Sequence, residues 1–206
     1  MKHKSELGII IGNVYAKHET KNPVAQALFR GFLNAFDDLT AKTTVTKGHE
    51  IGCGEGFLSK RLADRGWNIR ASDFSSEIIK TANLRYPQGN ICYVKRSIYN
   101  LNKSEDYAPL VICCEVLEHL EDPHKALENM ASLEAAWYLF SVPREPLWRT
   151  LNMARMKYLR EWGNTPGHFQ HWSKGAFIRM LEQYFAPVEI RSPLPWTMVL
   201  CRRKKA

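Results

Sequence analysis

Three short groups in this sequence carry the residue types that could do chemistry. The tightest is Glu50-Ile51-Gly52-Cys53-Gly54-Glu55-Gly56, three glycines at alternate positions bracketed by carboxylates. Glycine supplies positive φ or lets a ligand approach the backbone closely, so a strand, Gly-rich turn and helix here form a candidate small-molecule cradle. A second group, Glu115-Val116-Leu117-Glu118-His119, follows an unbroken apolar run. The third, Gly167-His168-Phe169-Gln170-His171-Trp172, sets two histidines in an aromatic loop. Imidazole is the default proton acceptor near neutral pH. His119, His168 and His171 are therefore the candidate catalytic bases for a reaction that takes a proton from a hydroxyl. Glu118, His119 and His168 are also types that bind divalent ions, but no sequence-local ligand spacing supports this, and no metal is assigned. His3, His18, His49 and His124 are expected to be surface or structural residues.

Two ligand classes suit a Gly-rich turn followed by an acidic residue: a dinucleotide or S-adenosylmethionine. Asp73 stands 19 residues after Gly54, where a carboxylate accepts ribose hydroxyls in either class. The glycines read G-x-G-x-G, without the third glycine of G-x-G-x-x-G that lets a helix N-terminus meet a pyrophosphate. Glu50 and Glu55 are expected to put negative charge at the mouth, which repels phosphates and favours an ammonium and a sulfonium. Charge thus selects the methyl donor.

The elements that must position these groups alternate. Asn22 and Pro23 form an N-cap and first-turn proline for a helix with apolar residues Val24, Leu28, Phe32, Phe36 and Leu39. Thr43–His49, unusually polar for a central strand, is predicted as the first strand. The helix after the glycines stops at Gly66. Trp67–Ser72 alternates as the second strand and ends at Asp73, and Ser75 or Ser76 caps the next helix. Ile91–Val94 is a third strand, and the apolar Leu110–Cys114 a fourth, buried on both faces. Asp122-Pro123 starts another helix, and Trp137–Val142 is a fifth strand. Ser173 caps the last helix, and Val188–Ile190 with Thr197–Cys201 form a closing antiparallel hairpin. This rhythm predicts a doubly wound α/β sheet, Rossmann-like, seven-stranded and mostly parallel, with helices on both faces. One domain is expected: an N-terminal helical flap (1–42), a cofactor-binding core (43–143), a substrate lid (144–172) and a closing helix and hairpin (173–206).

With Glu50–Gly56, Asp73 and the run Val111–Cys114 into Glu115–Pro123, the sequence resembles the class I S-adenosylmethionine-dependent methyltransferases. The likeness is to their small-molecule branch, which includes ubiquinone-biosynthesis O-methyltransferases. That family shows E-x-G-C-G-x-G, an acid after strand two and E-x-L-E-H-x-x-D-P after strand four, and the match spans roughly Glu50 to Pro143. The resemblance implies that Glu50, Gly52, Cys53, Gly54 and Gly56 contact the methionine moiety of the donor. It implies that Asp73, with Phe74, holds ribose, and that Ser97 and Ile98 line the adenine. Glu115 and Val116 through His119 form the floor near the transferred methyl, and the product is S-adenosylhomocysteine. The chain departs from the family at Ser97, often Asp, at Ala108-Pro109, usually Phe-Asp, and at Ala135-Ala136, usually Gly-Gly.

The net charge of +8 comes without a recognised nucleic-acid motif, so nucleic acid is not an expected partner. Five cysteines lack metal spacing and are expected to be reduced, as in the cytosol. The start of the sequence lacks a long apolar segment, so a cytoplasmic protein is expected. The acceptor is assigned to the basic, aromatic stretch Arg144–Trp172, with Arg144, Trp148, Trp172, Glu118 and the flap residue Tyr15 as candidate contacts. Such a lid suits a lipophilic or anionic small molecule, and peripheral contact with a membrane surface is compatible with it. O-methylation of a natural product, sugar, lipid or quinone-like acceptor with a His base is the leading reading. The alternatives are an RNA or protein methyltransferase, and a non-catalytic binding protein on the same fold.

Overall fold

In the computed structural model, residues 5–6, 9–10, 20, 22–154, 162, 164–165 and 167–204 are described. Between residues 47 and 143 five strands run parallel: β1 Lys47–Ile51, β2 Asn68–Asp73, β3 Ile91–Lys95, β4 Leu110–Cys114 and β5 Trp137–Pro143. Two antiparallel strands, β6 Phe185–Arg191 and β7 Trp196–Arg203, complete the sheet. The order is β3-β2-β1-β4-β5-β7-β6. Parallel neighbours need crossover connections, and helices supply them. The order reverses between β1 and β4, which opens a crevice at their carboxyl ends, where ligands of such sheets bind.

The helices are α1 Pro23–Ala41, α2 Phe57–Ala63, α3 Ser76–Arg85, α4 Lys103–Asp106, α5 Pro123–Ser132, α6 Leu147–Ala154 and α7 Lys174–Glu182. The expected caps form: Asn22 accepts from the N–H groups of Val24 and Ala25, Ser75 from Ile78, Asp122 from Lys125 and Ser173 from Ala176. Each satisfies donors that a helix start leaves orphaned. No helix among the described residues is long and apolar enough to cross a membrane.

Apolar cores cover both faces of the sheet. On one, Phe32, Phe36 and Leu39 of α1 pack with Leu62, Ile112, Leu139 and Trp196. On the other, Leu127, Met130, Phe177 and Leu181 cover Val111, Tyr138 and Phe140. The helix expected to act as a flap thus has its C-terminal half buried in the core, because its apolar stripe continues to Leu39. Its Phe29 also touches Phe57, at the start of α2.

The first strand is displaced from the predicted Thr43–His49. Thr43 donates its hydroxyl to Thr40 O at 2.7 Å, closing α1, and Thr44 takes φ +56°, so the strand starts at Lys47. Its polar member His49 is fully buried, with ring contacts of 2.8 Å to Asp106 O and to Ser72 Oγ. Those two partners make a polar residue tolerable in a central strand. Burial lowers the His49 pKa to about 4.

Candidate functional site

The Gly-rich turn is held by backbone geometry. Gly52, Gly54 and Gly56 have φ values of +75°, +51° and +83°, the left-handed region that glycine enters without penalty. The N–H groups of Gly52 and Cys53 both donate to Ser72 O, at 2.8 and 2.9 Å, stitching the turn to the end of β2. Asp73 completes the stitch, accepting from Gly54 N at Oδ2 and from Ser75 N at Oδ1, each at 3.1 Å.

The glycines differ in what surrounds them. A Cβ on Gly52 would lie 2.4 Å from Val116 Cγ2, so glycine here lets Val116 pack onto the turn. A Cβ on Gly56 would meet Tyr93 Oη at 2.8 Å. Around Gly54, apart from its chain neighbours, no atom of the described residues lies within 4 Å of the Cβ position. Among the described residues this space is open, and the Asp73 carboxylate lies beside it.

The charge expected at the mouth is corrected by the fold. Glu50 is buried, accepts a hydrogen bond from Ser59 Oγ and has its pKa pushed up to about 8 by burial. It is mostly protonated at neutral pH. Glu55 pairs with Arg85. The carboxyl groups that reach the strand ends are those of Asp73 and Glu115. Sequence spacing could not reveal this, because which carboxylate is buried depends on how α2 and α3 pack.

Glu115 adopts φ +60° just beyond β4, a conformation that costs a non-glycine residue about 1 kcal/mol or more. Its carboxylate accepts from Ser141 Oγ at 3.0 Å and from Trp196 Nε1 at 2.6 Å. Trp196 was absent from the residues singled out in the sequence. It lies on β7, stacked edge-on against Phe32 with centroids 5.1 Å apart and tilted against Trp148 at 5.7 Å. No local signal marks it, since it meets Glu115 only when the antiparallel hairpin closes on β5.

The third group folds onto the second. A single 3-10 turn, Leu117–His119, carries Glu118 and His119. The N–H groups of Phe169 and Gln170 both donate to Glu118 O, at 2.8 and 3.1 Å. His119 Nδ1 lies 2.8 Å from Gly167 O. A carbonyl only accepts, so Nδ1 carries the proton and Nε2 the lone pair. The rings of His119 and His168 meet edge to face with centroids 4.8 Å apart. Trp148 stacks on His168 at 6.1 Å and donates its Nε1 to Thr165 Oγ1 at 2.9 Å. His171 does not join them: its Nε2 bonds Asn164 Oδ1 at 2.7 Å, and burial and then Arg149 lower its pKa.

Ser97 caps a short 3-10 turn, accepting from Tyr99 N at 3.2 Å, with Ile98 buried behind it. Cys53 is buried, and Phe74 follows Asp73 half-buried. Arg144 and Trp172 are joined by a backbone bridge, and the Trp172 ring packs on Phe177 of α7. Tyr15 and the basic residues Arg155, Lys157 and Arg160 lie outside the described residues.

Comparison with known proteins agrees with this architecture. Residues 49–133 match the family model of a methyltransferase domain. A ubiquinone biosynthesis O-methyltransferase of Nitrosomonas europaea is 31% identical over 132 residues, 62% of this chain and 53% of the relative. One from Coxiella burnetii is 35% identical over 86 residues, 41% of this chain and 37% of the relative. The chain thus spans about half or less of the length of these curated relatives. Among solved structures, magnesium protoporphyrin IX methyltransferase from Synechocystis with bound S-adenosylhomocysteine superposes with a TM-score of 0.68 at 20% identity. The superposition covers 90% of this chain and 89% of that one. The N-methyltransferase NodS from Bradyrhizobium japonicum gives 0.66 at 20% identity, covering 94% of each chain. At these identities the structures speak for the fold, and the family match for the glycine turn and the segment after β4. Residues 49–133 thus resemble a methyltransferase domain, and the described residues share the fold of the solved methyltransferases.

Proposed function

We propose that this protein transfers the methyl group of S-adenosylmethionine to an oxygen of a small-molecule acceptor, with the product S-adenosylhomocysteine left in the cradle. The observation that carries this reading is the juxtaposition at one sheet edge. The turn open at Gly54 lies beside Asp73, and Val116, three residues before His119, packs against Gly52. Glu50, Gly52, Cys53, Gly54 and Gly56 would hold the methionine end of the cofactor, Asp73 and Phe74 the ribose, and Ser97 and Ile98 the adenine, with Glu115 and Val116 as the floor. When bound, the cofactor supplies an electrophilic methyl group on a sulfonium.

The protein's own task is alignment and proton removal. Fixing two reactants in line can supply several kcal/mol. Trp148 walls the acceptor side through its stacking on His168, with Arg144, Glu118 and Trp172 around it. The His119–His168 pair accepts the proton that the acceptor hydroxyl loses as its oxygen forms the new C–O bond. His119 is suited to this because Gly167 O holds its proton on Nδ1. The relatives named for ubiquinone biosynthesis direct the search toward hydroxylated, quinone-like aromatics.

Calorimetry on Asp73→Ala tests the cofactor half of the reading. Affinity for S-adenosylmethionine is expected to fall about ten- to hundredfold, the value of losing a hydrogen bond to a charged group. Equal affinity in the variant would sink the assignment. Incubating the full chain with labelled cofactor and hydroxylated aromatics tests the acceptor half, where transfer to amines alone would overturn O-methylation.

A further inference from the structure

We propose that Thr165 is a positioning residue for His168: its hydroxyl ties the histidine loop to α6 and so fixes where the imidazole sits. The inference rests on the proposed role of His168 in methyl transfer and goes beyond it by naming what holds that ring. Trp148 and Asn152 stand four residues apart on α6, a spacing that puts them on one helix face. Both send an N–H to the same oxygen. Trp148 Nε1 lies 2.9 Å and Asn152 Nδ2 3.2 Å from Thr165 Oγ1. A hydroxyl has two acceptor lone pairs, and these donors match them. Thr165 is 8% and Asn152 2% exposed, and polar groups buried to that extent need such partners.

The same stretch of chain grips His168. The His168 N–H donates to Thr165 O at 3.1 Å, and His168 O accepts from Asn164 Nδ2 at 3.4 Å. The Trp148 indole, oriented by its bond to Thr165, lies along the His168 ring at 6.1 Å between centroids, with the planes 25° apart. These contacts use the main chain and the ring face. None of them takes a ring nitrogen, so they fix the imidazole without consuming the lone pair that proton acceptance needs. The main-chain turn from Thr165 to His168 would form with other residues at position 165. Only a hydroxyl on that Cβ also joins the turn to Trp148 and Asn152. The support matters because a reacting group displaced by about 1 Å can lose about a hundredfold in rate. Neither Thr165 nor Asn152 stands out in the sequence, since 13 residues separate them and the bond exists only once the loop has closed on α6.

The test compares Thr165→Val, which keeps the shape and removes the acceptor, with Thr165→Ser, which keeps the hydroxyl. Both are prepared as the full chain beside the wild type. Three quantities are read: turnover and KM for the hydroxylated aromatic that the wild type methylates best, S-adenosylhomocysteine affinity by calorimetry, and the His168 ring signal in NMR spectra of isotope-labelled histidine, assigned with His168→Ala. In Thr165→Val we expect turnover to fall about ten- to hundredfold, with KM and S-adenosylhomocysteine affinity within about twofold of wild type. The His168 signal should move or broaden in that variant, and Thr165→Ser should restore both signal and turnover. Unchanged turnover or an unmoved His168 signal in Thr165→Val, failure of serine to restore them, or a parallel loss of S-adenosylhomocysteine affinity overturns the proposal. A wild type that methylates no hydroxylated aromatic, with the His168 signal moved by valine and restored by serine, would overturn the O-methylation reading and leave the positioning by Thr165 standing.

Discussion

The two halves of the surface at the strand ends are built in different ways. In the half proposed to hold the cofactor, the groups come from one turn and the strand beside it: Gly52 and Cys53 bond Ser72, and Gly54 bonds Asp73 across 19 residues. Most of that work is done by backbone N–H groups and positive φ angles. In the half proposed for the acceptor, side chains converge from far apart, with 48 residues separating His119 from Gly167. A site made of backbone depends on local spacing and tolerates little change. One made of side chains on connecting segments can change its ligand while the scaffold stays the same.

The comparison is most open to attack at the histidines. His119→Ala and His168→Ala are each expected to lower turnover about 10²–10⁴-fold, the usual contribution of a positioned base, while S-adenosylhomocysteine affinity stays within about twofold. Kinetics and calorimetry on the same preparations check this, and parallel losses in both would show that the halves are not separable.

Next in size is the buried acid of the cofactor half. The Glu50 pKa is about 8 when folded, against 4.5 for the free group. Its contribution to stability is therefore complete below about pH 4.5 and is lost as pH rises through 8. Urea denaturation of the wild type and Glu50→Gln should show the wild type losing stability relative to the variant between pH 5 and 8.5. The change expected is on the order of a few kcal/mol. A difference that does not vary with pH would contradict a buried, protonated Glu50.

Gly52→Ala and Gly54→Ala sharpen the contrast within the turn itself. At Gly52 the added Cβ meets Val116, and overpacking of this kind costs about 1–3 kcal/mol, so melting temperature and cofactor affinity should both fall. At Gly54 only left-handed strain of about 1–2 kcal/mol is added, and the methyl group enters open space. There cofactor affinity should fall more than stability does. Equal behaviour of the two variants would mean that the space beside Gly54 is not where the ligand lies.

The smallest effect concerns Trp196, which contacts both Glu115 and Trp148. Trp196→Phe keeps the ring between Phe32 and Trp148 but removes the donor to Glu115. A loss of about 1–2 kcal/mol in thermal unfolding is expected, with a smaller drop in cofactor affinity. No change in either would show that the contact contributes nothing.

Much of the fold was legible because its signals are local. Asn22-Pro23, Ser75, Asp122-Pro123 and Ser173 each cap the helix they were expected to start, and Gly66 ends α2 at φ +81°. The first strand was misplaced because β-branched threonines that suggest a strand were used to close α1. The apparent negative mouth was misjudged because charge depends on burial, and burial of Glu50 and pairing of Glu55 with Arg85 are tertiary facts. All three histidines are candidate bases in the sequence, yet the loop brings His168 to His119 and turns His171 toward Asn164.

The sequence by itself determined the cradle: G-x-G-x-G, the acid at position 73 and the apolar run into Glu115 place a Gly-rich turn, its partner carboxylate and the segment after β4 at neighbouring strand ends. These features act through backbone conformation and neighbouring strands, where spacing along the chain is spacing in space. The tertiary structure alone decided which imidazoles face each other, which carboxylate keeps its proton and that Trp196 holds Glu115. Each of those depends on loop closure between distant segments, and on desolvation that exists only once the core has formed.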